Sequence, residues 1–516
     1  MLTQHILASR NVLSSWLKLA INVAIGFILS PFILHKLGDT AFGIWVLIFS
    51  LTGYYGLFDL GIRASIGRYV AQFAATGDEK QLLRFVNTSL AACGVLGLWV
   101  LFAACIGLPF LGVLFRISPD FLGTARVLFF LVSADVALGF PLSVFGCVLE
   151  GYQNFWPLNL THICSSLIRG ILVVIALSLG GGLVSIALIS VGLNLLRHLS
   201  CLHLVFRITP LRIGLRYFDK SLLGRLLSYS TIYFAIFIAE SLRFQSDAIV
   251  IGAFISSAAI TYFAVASKLV EYPSNLVISL AQIFTPMASQ YDASGDQEGL
   301  RRMFIAGNRA CAFVVFPLCA ILITLGKSII EIWVGGKYVS SYIILLVLVV
   351  PKTLLLAQSG STRILLGLGR QRLLALVTLL DGVTNLILSI VFLRYWGIVG
   401  VALGTAIPLT CTSIFFLPRH LCRILDVRMG RFLRDAYLLP LGVTLPMTGA
   451  LLLSKQWYPP GYGALLLQTA LAAVVYAGTW LGVAWARRPH GAQVRMRLTK
   501  LLQQVAGQRQ AGPDLS

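Results

Sequence analysis

The sequence predicts an all-α integral membrane protein with about 14 transmembrane helices, arranged as two parallel-repeat six-helix lobes plus two C-terminal helices. Three observations lead to this prediction. The 516 residues are 58% hydrophobic and only 11% charged, whereas soluble domains carry about 25% charged residues. Long apolar runs recur along the whole chain, and part of the sequence repeats itself. A chain of this composition needs lipid as its solvent.

The apolar runs are long enough to cross a bilayer as helices, since about 20 residues span the hydrocarbon core. Strands of a β-barrel are excluded, because they alternate in polarity and span only about ten residues. The first run is too long for a signal peptide, and we interpret it as an uncleaved first span. The predicted spans are 11–34, 41–62, 85–110, 122–149, 156–179, 184–206, 226–252, 258–288, 303–325, 341–366, 371–393, 398–418, 436–454 and 463–486.

The net charge of +21 has a membrane explanation. Most of the 40 Lys and Arg residues lie in the loops that are cytoplasmic if the N-terminus is inside, and few lie in the opposite loops. The positive-inside rule therefore predicts that both termini are cytoplasmic and that the number of spans is even. Because the loops account for the basic charge, we expect no nucleic-acid partner.

The chain contains an internal repeat. Residues 72–78 read QFAATGD and residues 290–296 read QYDASGD, an offset of 218 residues. Six spans per repeat is an even number, so the two halves point the same way, and a transport site is expected between them. The predicted organisation is an N-terminal lobe (1–206), a cytoplasmic linker (207–225), a C-terminal lobe (226–421), a cytoplasmic loop (422–435), two extra transmembrane helices (436–486) and a basic cytoplasmic tail (487–516).

Ionisable residues inside the predicted spans are the candidate functional residues. A charge at the bilayer centre costs about 2.5–3.5 kcal/mol on insertion scales, so it needs a partner, water or a function. Glu240, Arg243 and Asp247 are spaced to share one helix face. The substrate-binding candidates are Arg243, Lys268, Arg169, Lys18 and Lys352, and the ion-coupling candidates are Glu240, Asp247, Glu271, Asp135 and Asp381.

Two interpretations of these residues stay open. One is a cationic lumen that binds an anionic substrate, with an acid nearby that takes up a proton. The other is a set of salt bridges that only hold the helices together. The same choice applies to Asp59 and Arg63, which are a cytoplasmic gate pair or a stabilising pair at the membrane edge.

No motif for energy conversion or catalysis is present. The sequence lacks GxxxxGK[ST] and HExxH, and its nine cysteines are scattered without metal-binding spacing. We therefore expect no catalytic residue, no metal, no cofactor and no enzymatic activity. Transport work must draw on an ion gradient, on the gradient of the substrate itself, or on a partner.

Several segments resemble a known family. LGDTAFG (37–43), DLGI (59–62) and RYVAQ (68–72) resemble the start of the Wzx-type polysaccharide flippases, which belong to the multidrug/oligosaccharidyl-lipid/polysaccharide exporter superfamily. SDAIVIG (246–252) and TYFAVASKL (261–269) resemble the seventh and eighth spans of that family. The resemblance extends over most of the first 430 residues.

The resemblance implies alternating access by two six-helix lobes. It implies movement of an undecaprenyl-diphosphate-linked oligosaccharide from the inner to the outer leaflet of a bacterial inner membrane, for O-antigen or exopolysaccharide synthesis. It also implies a cationic lumen, which places Arg243 and Lys268 there because they lie in the matching segments. The expected partners are the lipid-linked oligosaccharide, membrane lipid and other membrane proteins of polysaccharide assembly. The alternatives are an ion-coupled multidrug exporter of the same superfamily and a membrane glycan polymerase or ligase.

Overall fold

The computed structural model describes residues 2–59, 61–228, 230–457 and 461–486, and within these ranges the protein is helical and contains no strand. Eighteen helices of at least eight residues are numbered here in chain order. They are α1 (Leu2–Leu37), α2 (Asp39–Gly53), α3 (Ile62–Thr76), α4 (Glu79–Gly107), α5 (Pro119–Gly151), α6 (Phe155–Ser178), α7 (Leu183–Ile208), α8 (Ser230–Phe244), α9 (Ser246–Phe254), α10 (Ser257–Ala281), α11 (Phe284–Ser294), α12 (Gln297–Val334), α13 (Ser341–Ala357), α14 (Ser359–Gly367), α15 (Gln371–Cys411), α16 (Leu417–Ile424), α17 (Leu439–Trp457) and α18 (Tyr462–Ala486).

The predicted membrane character is confirmed. In the described part of the chain, ten helices are long and apolar enough to cross a bilayer, or up to eleven if the bent pair α13 and α14 counts as one span. The predicted span 226–252 is divided at Gln245 into the shorter helices α8 and α9. Within the described residues, helices cover most of each of the fourteen predicted spans, but the count of fourteen crossings stays a prediction.

Helix α15 is a hairpin of two antiparallel arms. Its backbone leaves the helical region at Gly397, where φ is 58°. The hydroxyl of Ser389 donates to the carbonyl of Val401 at 3.3 Å, so the chain after Gly397 runs back along the chain before it. The two arms correspond to the predicted spans 371–393 and 398–418.

The internal repeat has the same local structure in both copies. Gly77 and Gly295 end α3 and α11 with φ values of 68° and 69°, a left-handed conformation that glycine adopts without a β-carbon clash. The following residues, Asp78 and Asp296, cap the N-termini of α4 and α12 by accepting a hydrogen bond from the backbone N–H three residues later. The repeated TGD and SGD sequences therefore encode the same helix–turn–helix connection.

The two lobes meet where α2 crosses α10. These helices begin at Asp39 and Ser257, which are 218 residues apart, as the repeat predicts. A β-carbon on Gly43 would collide with the carbonyl oxygen of Ser257, and the hydroxyl of Thr261 donates to the carbonyl of Asp39 at 2.7 Å. Gly43 and Thr261 are also 218 residues apart, so the contact is isologous, as expected at a pseudo-two-fold axis.

Polar contacts strengthen this crossing. The Asp39 carboxylate forms an ion pair with Lys337 and accepts a hydrogen bond from the hydroxyl of Tyr338. The hydrogen bond to Asp39 raises the pKa of Lys337 above its ordinary value, and burial, followed by the same carboxylate, raises the pKa of the Tyr338 phenol. We call Asp39, Gly43, Ser257, Thr261, Lys337 and Tyr338 the outer seam, because the predicted topology places them on the external side.

The last two helices pack against the C-terminal lobe. Tyr476 of α18 donates to the carbonyl of Phe313 at 2.6 Å, and Lys455 of α17 donates to the carbonyl of Thr324 at 3.3 Å. Both acceptors lie on α12. Large apolar side chains such as Leu179 and Val113 are more than 80% exposed, which suits a surface in contact with lipid rather than water.

Candidate functional site

A cavity of about 180 Å³ lies inside the C-terminal lobe. Helices α8, α13, α14 and α15 supply most of its walls. Ligand pockets for whole small molecules measure about 300–1,000 Å³, so in this conformation the cavity accommodates an anionic group or one ring rather than an oligosaccharide. The polar and ionisable residues that line it are Glu240, Arg243, Ser359, Thr362, Arg363, Thr378, Asp381, Thr412 and His420.

Arg243 and Asp381 form a buried ion pair at the cavity wall. Arg243 Nη2 lies 2.7 Å from Asp381 Oδ2, and their side chains are 9% and 8% exposed. Thr412 donates a second hydrogen bond to Asp381, and Asn385 donates to the carbonyl of Arg243 at 3.2 Å. The ion pair therefore joins α8 to α15, and Thr412 adds a contact from the segment that follows α15. This is the arrangement expected if the charges only hold the helices together.

Asp247 has a neutral partner instead of a cation. It is 6% exposed and accepts hydrogen bonds from the hydroxyl of Thr405 at 3.0 and 3.1 Å. The break at Gln245 separates it from Glu240 and Arg243, although both Arg243 and Asp247 still contact α15. The hydroxyl has one hydrogen to share between the two carboxylate oxygens, so most of the acceptor sites of Asp247 have no described donor.

Two cations near the cavity have no acid within ion-pair distance among the described residues, Lys352 and Arg363. Lys352 Nζ lies 3.9 Å from the centre of the Phe244 ring, a cation–π contact. Glu240 lies within electrostatic range of both cations. Among the described residues, no acid therefore neutralises Lys352 or Arg363 by direct contact.

Lys268 and Glu271 pair with each other on α10. Their side-chain atoms are 2.7 Å apart, and the side chains are 45% and 49% exposed. The spacing of three residues within one helix explains the pairing. The structure does not place Lys268 on the wall of the described cavity, whose lining residues come from other positions.

The N-terminal lobe contains a second polar cluster. Arg169 Nη2 donates to Asn194 Oδ1 at 2.7 Å, and Asn194 Nδ2 donates to Asp135 Oδ2 at 2.7 Å. Asn194 therefore bridges a predicted cation and a predicted acid on three different helices. The Nε of Arg169 is buried without a hydrogen-bond partner among the described atoms.

Next to the hydrogen bonds that join Arg169, Asn194 and Asp135, Arg197 lies between two histidines. Its Nη1 is 3.2 Å from Nε2 of His162, and its Nη2 is 3.1 Å from Nε2 of His198. Lys18 is half-buried within electrostatic range of Arg197 and of Glu150. The predicted residues Lys18, Arg169 and Asp135 thus belong to one cluster.

The predicted gate pair is described only in part. Arg63 is exposed, and its guanidinium carbon lies 5.4 Å from the centre of the Phe140 ring. The side chain of Asp59 lies outside the described residues. The pairing of Asp59 with Arg63 stays a prediction.

Sequence reasoning missed Asn194, Arg197, His162, His198 and Arg363. Asn194 and the two histidines carry no fixed charge, so a prediction based on charged residues leaves them out, whereas Arg197 and Arg363 are charges inside the predicted spans 184–206 and 341–366 that the same criterion could have included. A usable signal was present, because Asn194, Arg197 and His198 lie within two turns of one apolar helix.

Comparison with known proteins gives the family and the fold. A family model described as polysaccharide biosynthesis protein matches residues 75–343, which is more than half of the chain. An uncharacterized membrane protein, EpsK of Bacillus subtilis (strain 168), is 21% identical over 420 residues, which are 79% of this chain and 81% of EpsK.

Solved transporters share the architecture. The lipid II flippase MurJ in an inward closed conformation matches with a TM-score of 0.69 at 16% identity, covering 92% of this chain and 98% of MurJ. A multidrug resistance MATE family transporter of the MOP superfamily, in an inward-facing conformation, also matches with a TM-score of 0.69 at 16% identity, covering 79% of this chain and 95% of that one. At this identity the likeness establishes a transporter fold.

Proposed function

Because the chain belongs to the family of polysaccharide biosynthesis proteins, we propose that it is a flippase for a polyprenyl-diphosphate-linked oligosaccharide. It moves this substrate from the inner to the outer leaflet of a bacterial inner membrane, with both termini in the cytoplasm, and serves the synthesis of a cell-surface polysaccharide.

The chemistry of such a substrate requires a polar path through the membrane. A diphosphate and several sugars lose their hydration in hydrocarbon, and each unpaired polar group then costs several kcal/mol. Arginine binds phosphate with two parallel hydrogen bonds, and lysine offers a point charge. The polyprenyl tail remains in lipid throughout.

The observation that carries the proposal is that no described acid forms a direct ion pair with either of two cations beside the C-terminal cavity. Lys352 and Arg363 lack a described ion-pair partner, whereas Arg243 is already neutralised by Asp381. We therefore assign the head group to Lys352 and Arg363 first, and we assign Arg243 a supporting role. Glu240 lies within electrostatic range of both cations, so its uptake or release of a proton or a cation is coupled to their binding of the head group. Asp247, Glu271, Asp135 and Asp381 remain coupling candidates.

The outer seam suits the alternating-access part of the proposal. It joins the start of α2 to the start of α10 and to the connection between α12 and α13. Residues 1–206 and 226–421 then move as two lobes that part at this seam when the substrate is released outside. Rigid-body rocking of two repeats about a central site is a general mode of such carriers.

The test uses purified full-length protein in proteoliposomes with a fluorescent polyprenyl-diphosphate oligosaccharide. Movement between leaflets is followed by accessibility of the label to a membrane-impermeant quencher, with and without a proton gradient. Lys352→Met is the test variant. Lys36→Met is its control, because Lys36 is an exposed lysine at the end of α1.

Protein-dependent movement that Lys352→Met abolishes and Lys36→Met retains supports the proposal. Efflux of organic cations without lipid movement would instead identify a multidrug exporter. Elongation of the oligosaccharide would identify a glycan polymerase or ligase, and either result would overturn the proposed function.

A further inference from the structure

His162, Arg197 and His198 make an unusual contact inside the N-terminal lobe. A guanidinium group has only N–H donors, so each histidine Nε2 at 3.2 and 3.1 Å must act as an acceptor. Both imidazoles are therefore neutral in this arrangement. We call these three residues the histidine–arginine clamp.

The clamp holds Arg197 without neutralising it. No described acid lies within ion-pair distance of Arg197. Asp135 is engaged by Asn194, which connects it to Arg169. The lobe thus contains a half-buried cation whose direct partners are neutral bases, and such a cation attracts an anion.

The surroundings of the clamp are predominantly positive. Each of the helices that pack around the clamp contributes ionisable groups. The ionisable groups are Lys18 on α1, Arg63 on α3, Asp135 and Glu150 on α5, Arg169 on α6 and Cys201 on α7. Three of these groups are cations, two are acids and one is a thiol, so with Arg197 included four cations face two acids.

We propose that the histidine–arginine clamp is a proton-dependent binding site for a phosphate-type anion. A proton that binds to Nε2 of His162 or His198 converts the acceptor into a donor, and the imidazolium repels the guanidinium. Arg197 is then released, and its N–H groups, together with the new imidazolium N–H, point at a common anion. The anion offsets the added charge, so proton and anion bind cooperatively.

The identity of the natural ligand rests on the proposed function. The diphosphate of the proposed substrate is an anion of this class, so the clamp would be part of the substrate path. Binding itself does not depend on transport. The predicted topology places the clamp toward the cytoplasmic ends of α6 and α7, where a substrate head group enters from the inner leaflet.

The experiment measures binding of ³²P-labelled pyrophosphate to the purified full-length protein at about pH 6 and about pH 8, the range in which histidine charge changes. Wild type is expected to bind about tenfold more tightly at the lower pH, after correction for the ionisation of pyrophosphate. The correction comes from the double variant His162→Gln/His198→Gln. Its amides keep the hydrogen bonds to Arg197 but do not take up a proton in this range.

Control variants separate the clamp from general charge effects. His203→Gln changes an exposed histidine on the same helix and should bind as wild type does. Arg197→Gln should lose the clamp's binding, and Arg197→Lys should restore part of it. Proton uptake by the wild type is a second measurement, because pyrophosphate binding should remove protons from a weakly buffered solution.

An equal pH ratio in wild type and in the double glutamine variant, or full binding by Arg197→Gln, would overturn the proposal, as would binding without proton uptake. If the wild type moves no lipid in proteoliposomes but binds pyrophosphate in the proton-dependent way, the flippase function is refuted and the proposed anion site is not. The two failures are therefore distinguishable.

Discussion

A β-carbon on Gly43 would collide with the backbone carbonyl oxygen of Ser257, so α2 and α10 approach each other as closely as they do only because residue 43 is glycine. Thr261 donates to the carbonyl of Asp39 across the same crossing. Because Gly43 corresponds to Thr261 in the repeat, the two copies use this position differently. The first copy supplies the space and the second supplies the hydrogen bond.

The first prediction concerns this crossing. Gly43→Val should weaken the closed outer seam, because overpacking costs about 1–3 kcal/mol and the obstructing atom belongs to the backbone. Spin labels at Lys36→Cys and Ser340→Cys, in a background without reactive native cysteines, should report a longer inter-lobe distance in the variant. Gly94→Ala is the control, since a β-carbon there meets no atom within 4 Å. An unchanged distance distribution would refute the role of Gly43.

The second prediction separates structural from functional charges at the C-terminal cavity. Arg243→Ala should destabilise the protein by about 3–5 kcal/mol, because it leaves Asp381 buried without its cation. The measurement is thermal unfolding in detergent. Arg243→Met/Asp381→Leu should recover much of the loss, because no uncompensated charge remains. If Arg243→Ala unfolds like wild type, the ion pair does not stabilise the fold.

Lys352 should respond in the opposite way. Lys352→Met removes a cation that has no described acid partner, so unfolding should be unchanged or shifted to higher temperature. Substrate affinity should fall about tenfold or more, since hydrogen bonds to charged groups contribute about 1.5–3 kcal/mol. Lys352→Arg should retain activity, and Lys36→Met provides the control. Normal substrate affinity in Lys352→Met would remove Lys352 from the site.

The sequence was sufficient for the helices and the repeat, because both depend on local information. Apolar runs report the membrane directly, and the glycine–aspartate pairs at 77–78 and 295–296 specify the same turn wherever they occur. The break at Gln245 was not predicted, since no proline or glycine marks it and the charged residues on either side of it, Arg243 and Asp247, are spaced as on one continuous helix.

The contents of the two polar clusters depended on tertiary contacts. Arg243 and Asp381 are 138 residues apart, and nothing in either span names the other as its partner. Asn194 and the two histidines carry no fixed charge, so a search for buried charges passes over them, although they decide whether Arg169 and Arg197 are neutralised. Gly43 likewise resembles the other glycines of the spans until its neighbour is known.

The last prediction tests whether the repeat is energetically as well as structurally symmetric. Asp78 accepts from the N–H of Gln81 at 3.0 Å, and Asp296 accepts from the N–H of Gly299 at 2.7 Å. Replacing either aspartate with alanine should cost about 1 kcal/mol, since an unsatisfied helix N-terminus loses one hydrogen bond and a favourable negative charge.

The loss should be local to each copy. Hydrogen exchange followed by mass spectrometry should show about fivefold faster exchange in the first turn of α4 for Asp78→Ala and in the first turn of α12 for Asp296→Ala. Asp292→Ala is the matched control, because Asp292 is exposed and lies in the last turn of α11, where a negative charge does not stabilise the helix. Faster exchange in only one of the two copies would mean that tertiary packing, rather than the shared capping sequence, holds the other connection together.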